Sequence, residues 1–192
     1  MTTMPDEHPL PTWLRGLVRL DFVAAVLLTV LAPLVLLIRA CTRHREQLPT
    51  LLAYWRSSSL LMVTVYLLVG ERRIAFLTGI AARLLIPFTL RVAPPTTDRW
   101  FLRWRQAVRG YCLLGAVLNI PMLHCMRSHP PAAICRAYAE PPREFATLLH
   151  PRAAPEQLGQ LGVWGVWAFL AGAVLVRGNA ALRRRDRCYN AQ

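Results

Sequence analysis

The sequence predicts an all-α, polytopic membrane helix bundle of five transmembrane helices. Three observations carry that prediction. The chain is 55% hydrophobic over 192 residues, and only 17% of it is charged, against about 25% in an ordinary soluble domain. The apolar residues are gathered into runs close to the ~20 residues that cross a hydrocarbon core. The arginines between those runs are distributed unevenly. The runs are residues 20–38, 51–69, 74–90, 107–123 and 158–176, which together make one membrane domain.

Residues 1–19 are polar and carry Pro5, Pro9 and Pro11, so they read as an outer N-terminal tail. The first run is long for a signal-peptide core and is followed by no small-x-small cleavage site, which favours an uncleaved span. A basic loop leads to Pro49 and Thr50, a plausible start for the second helix. Tyr54 and Trp55 lie in its first turns, where interfacial aromatics collect. The short break Gly70-Glu71-Arg72-Arg73 then turns the chain back into the third run. The alternative architecture is three spans plus a re-entrant hairpin over residues 50–92.

A second basic loop follows. Arg99, Trp100, Phe101, Leu102, Arg103, Trp104 and Arg105 mix aromatics and arginines as an interfacial helix does. The fourth run contains Asn119 and Pro121. Residues 124–157 read as an outer loop, because Pro130, Pro131, Pro141, Pro142, Pro151 and Pro155 argue against a long helix there. The fifth run carries a stripe of Gly159, Gly162, Gly165, Ala168 and Gly172, which favours close helix packing. Residues 177–192 form a basic tail.

Charge sets the orientation. All 23 basic residues are arginine. With five crossings, fourteen arginines against three acidic residues fall on one side, and eight against seven on the other. The arginine-rich side is cytoplasmic by the positive-inside rule. The N-terminus is therefore expected outside and the C-terminus inside. A single crossing over residues 50–92 would put the two basic loops on opposite sides and erase the asymmetry. The net charge of +13 thus reflects membrane orientation, and no nucleic-acid partner is expected. Arg183, Arg184, Arg185 and Arg187 are expected to meet anionic lipid headgroups, at ~1 kcal/mol each near the surface.

Arg83 is the outlying residue. It lies about nine residues into its predicted helix, ~14 Å deep, where an arginine costs at least ~2.5 kcal/mol. Pro87 lacks an N–H and so frees the carbonyl of Arg83; Pro33 and Pro121 do the same for Thr29 and Val117. Depth counting places Thr29, Ser58 and Ser59 near Arg83, with Asn119 about a turn further out. No acidic residue falls within the centre of any predicted span. Two readings stand: a site for an anion, lipid headgroup or cofactor carboxylate, and a structural arginine held by freed carbonyls and hydroxyls.

Cys125 and Cys135 fall on the predicted outer side, where disulfides persist. They are a candidate disulfide, with unpaired cysteines as the alternative. A metal site with His124, His129 or His150 matches no standard zinc spacing. The sequence has no phosphate-binding glycine loop, no H-E-x-x-H, no nucleophile-elbow serine and no pair of intramembrane aspartates. The expectation is therefore a non-enzymatic protein with no cofactor, serving as a structural, accessory or assembly subunit of a membrane complex. A small transporter or channel around Arg83 and Pro87 is the alternative.

Several short motifs follow one another in order along the chain. They are Leu20-Asp21-Phe22, Tyr54-Trp55-Arg56, the run from Ser59 to Leu67, Ala82-Arg83-Leu84-Leu85-Ile86-Pro87, Trp104-Arg105 and Tyr111-Cys112-Leu113-Leu114-Gly115. Ile120-Pro121, Cys125, Cys135-Arg136 and Glu140-Pro141-Pro142 complete them. In these the chain resembles a family of small integral-membrane proteins of cyanobacteria, the domain of unknown function 3177. The resemblance implies a plasma or thylakoid membrane. It implies no activity, substrate or cofactor, so no functional residue carries over from it.

Overall fold

A computed structural model describes residues 11–91, 96–127 and 132–189, with side chains to Val176. Among the described residues the regular structure is all helical. Helix α1 (Thr12–Val26) passes through a π-helical segment (Leu27–Leu31) into α2 (Ala32–Thr42), making one continuous rod. Then come α3 (Leu48–Val69), α4 (Ala75–Arg91), α5 (Arg99–Asn119), a 3-10 segment (Pro121–Met126), α6 (Ala133–Leu149) and α7 (Pro155–Tyr189).

Three helical stretches are long and apolar enough to cross a membrane: Thr12–Thr42, Arg45–Val69 and Pro155–Val176. Helix α4 has 17 residues, and α5 carries Arg99, Arg103, Arg105 and Arg109 in its 21. Both nevertheless run alongside the longer helices. The hydroxyls of Thr64 and Thr78 meet at 2.9 Å and those of Ser57 and Thr89 at 2.6 Å, so α3 and α4 are antiparallel. Tyr111 reaches Asp21, and Trp104 donates to the carbonyl of Leu28 at 2.9 Å, so α5 runs opposite to the α1–α2 rod. Glycines set α7 against α3. A Cβ on Gly159 would fall 2.7 Å from the Cα of Gly70, and Gly162 and Gly165 lie on Leu67 and Val63. Gly172 meets nothing within 4 Å, so the stripe works only over its first half.

The turn after α3 divides its labour. Glu71, not Gly70, takes the positive φ of 52°. Gly70 is needed for contact, since a Cβ there would lie 2.3 Å from the Cα of Gly159.

Three expectations are corrected. The rod starts at Thr12, so residues 12–19 are helical rather than a loose tail. Pro11 precedes its first turn and accepts from the N–H of Leu14 at 3.0 Å. The aromatic–arginine run at residues 99–105 opens α5 rather than forming a separate interfacial helix, because Phe101 and Trp104 turn inward to Leu36, Tyr54, Ile86 and Leu90 in the core. The proline-rich stretch 124–157, expected as an outer loop, contains the 17-residue helix α6 despite Pro141 and Pro142. Those prolines are buried together with Ala137, Ala139 and Ala146, so packing of one face offsets the lost N–H groups. The basic stretch beyond Val176 continues α7 to Tyr189.

The core lies toward the end where residues 43–47 and 96–98 meet. Asp98 joins them. Its carboxylate caps α5 by accepting from the N–H of Trp100 at 2.9 Å, accepts from Gln47 Nε2 at 3.2 Å, and faces Arg39 at 3.5 Å and His44 at 3.8 Å. Burial alone would raise its pKa. The hydrogen bonds from Gln47 and Trp100, with the charge of Arg39, outweigh burial and hold the carboxyl below its usual range.

Candidate functional site

Arg83 is 6% exposed on α4. It has an acidic partner, contrary to the sequence reading: Nη2 donates to Asp21 Oδ2 at 2.5 Å. It also donates to the hydroxyl of Tyr111 at 3.2 Å, and the guanidinium carbon sits 5.0 Å from the Tyr111 ring centroid. Tyr111 in turn donates to Asp21 Oδ1 at 2.8 Å. Gly115, one turn after Tyr111 on the same face of α5, makes room: a Cβ there would fall 1.5 Å from Arg83 Nη1. That second nitrogen is buried and has no hydrogen-bond partner. A depth counted from residue 20, where the apolar run opens, leaves Asp21 near the membrane surface. The helix begins eight residues earlier, which carries Asp21 down to the level of Arg83. The Tyr111/Gly115 spacing was the available signal for the other wall.

The remaining candidates fall into two groups. Thr29, Ser58, Ser59 and Asn119 line one cavity with Arg83 and Asp21. None of the three hydroxyls binds Arg83. Thr29 donates to Ala25 O at 2.6 Å, Ser58 to Trp55 O at 3.2 Å and Ser59 to Arg56 O at 2.8 Å, each within its own helix. Pro87 is buried inside α4 and is not part of the cavity wall. The carbonyl of Thr29, freed by Pro33, accepts from the hydroxyl of Tyr54 at 2.7 Å. Val117, freed by Pro121, accepts from the N–H of Ile120 at 3.2 Å.

The cavity holds about 470 Å³ between α1, α3 and α4, and α6 covers it with Tyr138, Pro142, Phe145 and Leu149. Apart from the ion pair, the hydroxyls and the amide of Asn119 its walls are aliphatic and aromatic. It suits an apolar molecule.

Cys125 and Cys135 are bonded, with S–S 2.02 Å and Cα–Cα 5.8 Å, which fastens the 3-10 segment after α5 to the start of α6. His124 Nε2 lies 3.9 Å from both sulfurs, while Nδ1 is 2.6 Å from the carbonyl of Pro121. Sulfurs bonded to each other are not thiolates, so the three residues do not form a metal-ligand set in this state. His129 and the side chains of Arg183, Arg184, Arg185 and Arg187 lie outside the described residues.

A family described as protein of unknown function (DUF3177) matches residues 15–177. No curated protein and no solved structure matches the chain. With the match running from the first turn of the α1–α2 rod to the end of the apolar part of α7, the chain belongs to the DUF3177 family.

Proposed function

We propose that this protein is a five-crossing integral membrane protein, N-terminus outside and C-terminus cytoplasmic, that serves as a non-enzymatic accessory or assembly subunit of a membrane complex. Five rods of alternating direction and the arginine excess on the 43–47 and 96–98 side support the crossings and the orientation. Resemblance to cyanobacterial proteins supports a plasma or thylakoid membrane, with anionic lipid at the basic C-terminal end.

The outer face of α7 carries the accessory reading. Its glycines are used against α3, and Trp164 and Trp167 stand 68% and 69% exposed on other faces. Counted from Gly159 at the turn, they lie roughly 8 and 12 Å along the helix. That is below the headgroup level where tryptophans collect. Large exposed aromatics at that depth suit a protein neighbour, since aromatics are enriched at protein interfaces.

Photo-cross-linking from positions 164 and 167 in native membranes tests this reading. Discrete protein adducts are expected; lipid adducts alone would overturn it. For the topology, a reporter at Arg73 is expected outside and one at Arg187 inside. A cytoplasmic Arg73 sinks the five-crossing arrangement.

Transport is the second reading, favoured by the ion pair bordering the cavity. It fails if the Asp21→Leu/Arg83→Leu double variant stays folded with growth and flux unchanged.

A further inference from the structure

We infer that His124, Cys125 and Cys135 hold a zinc ion when the two cysteines are in their dithiol form, so that the disulfide and the metal are alternative fastenings of the same two segments.

The imidazole is oriented as a ligand already. Its Nδ1 lies 2.6 Å from the carbonyl oxygen of Pro121, and a carbonyl can only accept, so Nδ1 carries the ring hydrogen. Nε2 of the neutral ring then bears a lone pair. It stands 3.9 Å from Cys125 Sγ and 3.9 Å from Cys135 Sγ. Sulfurs bonded to each other have no hydrogen to give it, so no hydrogen bond accounts for where the ring points in the disulfide form. A histidine whose other nitrogen donates to a backbone carbonyl is the usual arrangement of a metal ligand.

The distances agree. Zinc binds sulfur at about 2.3 Å and nitrogen at about 2.0 Å, which in a tetrahedral site sets the nitrogen about 3.6 Å from each sulfur. The observed 3.9 Å is a small movement away. Two zinc-bound sulfurs lie about 3.8 Å apart. Rotation about the two Cα–Cβ bonds reaches that separation with the Cα atoms left at 5.8 Å. Cys125 and Cys135 are 3% and 5% exposed, whereas His124 is exposed, so the sulfurs are dry and the fourth position opens to solvent. Cys135 is the third residue of α6, where the helix dipole favours an anionic sulfur. Two thiolates and an imidazole suit zinc, whereas calcium and magnesium take oxygen ligands.

Opening the disulfide takes two electrons and two protons. A dithiol supplies both: it leaves two cysteine thiols and is itself oxidised to a disulfide. Zinc then replaces the two thiol protons, which pass to solvent. The start of α6 is thereby tied to the segment after α5 in either redox state. The site needs neither a set number of crossings nor a protein partner at α7.

The test uses the full-length protein in detergent with Cys41→Ser and Cys188→Ser, which leaves the buried Cys112 as the other cysteine besides the pair. It is purified throughout in dithiothreitol, so that the pair never forms, then freed of the reductant under nitrogen and given zinc sulfate. Metal retained after gel filtration is counted by mass spectrometry. About one zinc ion per reduced chain is expected, and none on protein oxidised with diamide beforehand. His124→Ala, which leaves both cysteines able to pair, is expected to weaken zinc binding at least about tenfold. Zinc is expected to raise the thermal midpoint of the reduced protein but not that of reduced His124→Ala. Reduced protein that retains no zinc above the detergent blank overturns the site. Zinc retained equally by the oxidised protein or by His124→Ala overturns this set of ligands.

Discussion

The carboxylate of Asp21 on α1 receives the guanidinium of Arg83 on α4 at 2.5 Å, and Tyr111 on α5 hydrogen-bonds to both. Three helices thus share one partly buried charge pair. Removing one partner strands the other. Asp21→Asn is expected to lower stability by about 3 kcal/mol, whereas the Asp21→Leu/Arg83→Leu double variant returns close to the parent, because well-packed apolar replacements of buried pairs are near neutral. Denaturant unfolding of the purified protein in detergent checks both. A double variant no better than Asp21→Asn would show that the pair is not the linkage between these helices.

Gly70 and Gly159 bring α3 and α7 into backbone contact. Gly159→Val is expected to cost about 1–3 kcal/mol by overpacking and to loosen α7. Gly172→Ala, with nothing within 4 Å, is expected to be neutral or slightly stabilising. Thermal midpoints in one detergent compare the two, and equal effects would refute the contact.

Asp98 gives the end where residues 43–47 and 96–98 meet an acid limit. Its folded pKa is held low, so it contributes stability that is present above the unfolded value of about 3.9. That contribution disappears as pH falls through the folded value. The loss is therefore expected below about pH 4, with the neighbouring Arg39 still charged and Gln47 unable to titrate. Asp98→Asn is expected to flatten this acid slope, and Asp98→Ala to cost about 1–2 kcal/mol at neutral pH through the lost cap. Thermal midpoints measured against pH decide it; an unchanged slope in Asp98→Asn would assign the acid response elsewhere.

What was legible in the sequence was whatever hydropathy and spacing encode. The α3–α4 hairpin followed from two apolar runs around a four-residue break, and the contact of α7 from glycines three apart. The environment of Arg83 was only half legible. Apolar runs mark where a helix is greasy, not where its backbone begins, and the polar first turns of α1 hid the depth of Asp21. Helix α6 was hidden by the usual meaning of proline; Pro141 and Pro142 act there as buried surface. Asp98 stands in a loop where no periodicity points to it, and only the meeting of residues 39, 44 and 47 around it reveals its role.

Helix α6 is fastened on every side. The Cys125–Cys135 bond holds its start, Glu144 holds Arg19 of α1 at 2.6 Å, Arg143 holds Glu71 of the turn, and Phe145 packs on Phe22. A cover tied down in this way stands over one end of the cavity between α1, α3 and α4. In the five-crossing arrangement proposed above, a molecule entering that cavity would come sideways, from among the lipid tails. Occupancy then follows its mole fraction in the bilayer and not its concentration in water, so a sparingly soluble compound would fill the site at levels that an assay in aqueous solution would record as no binding.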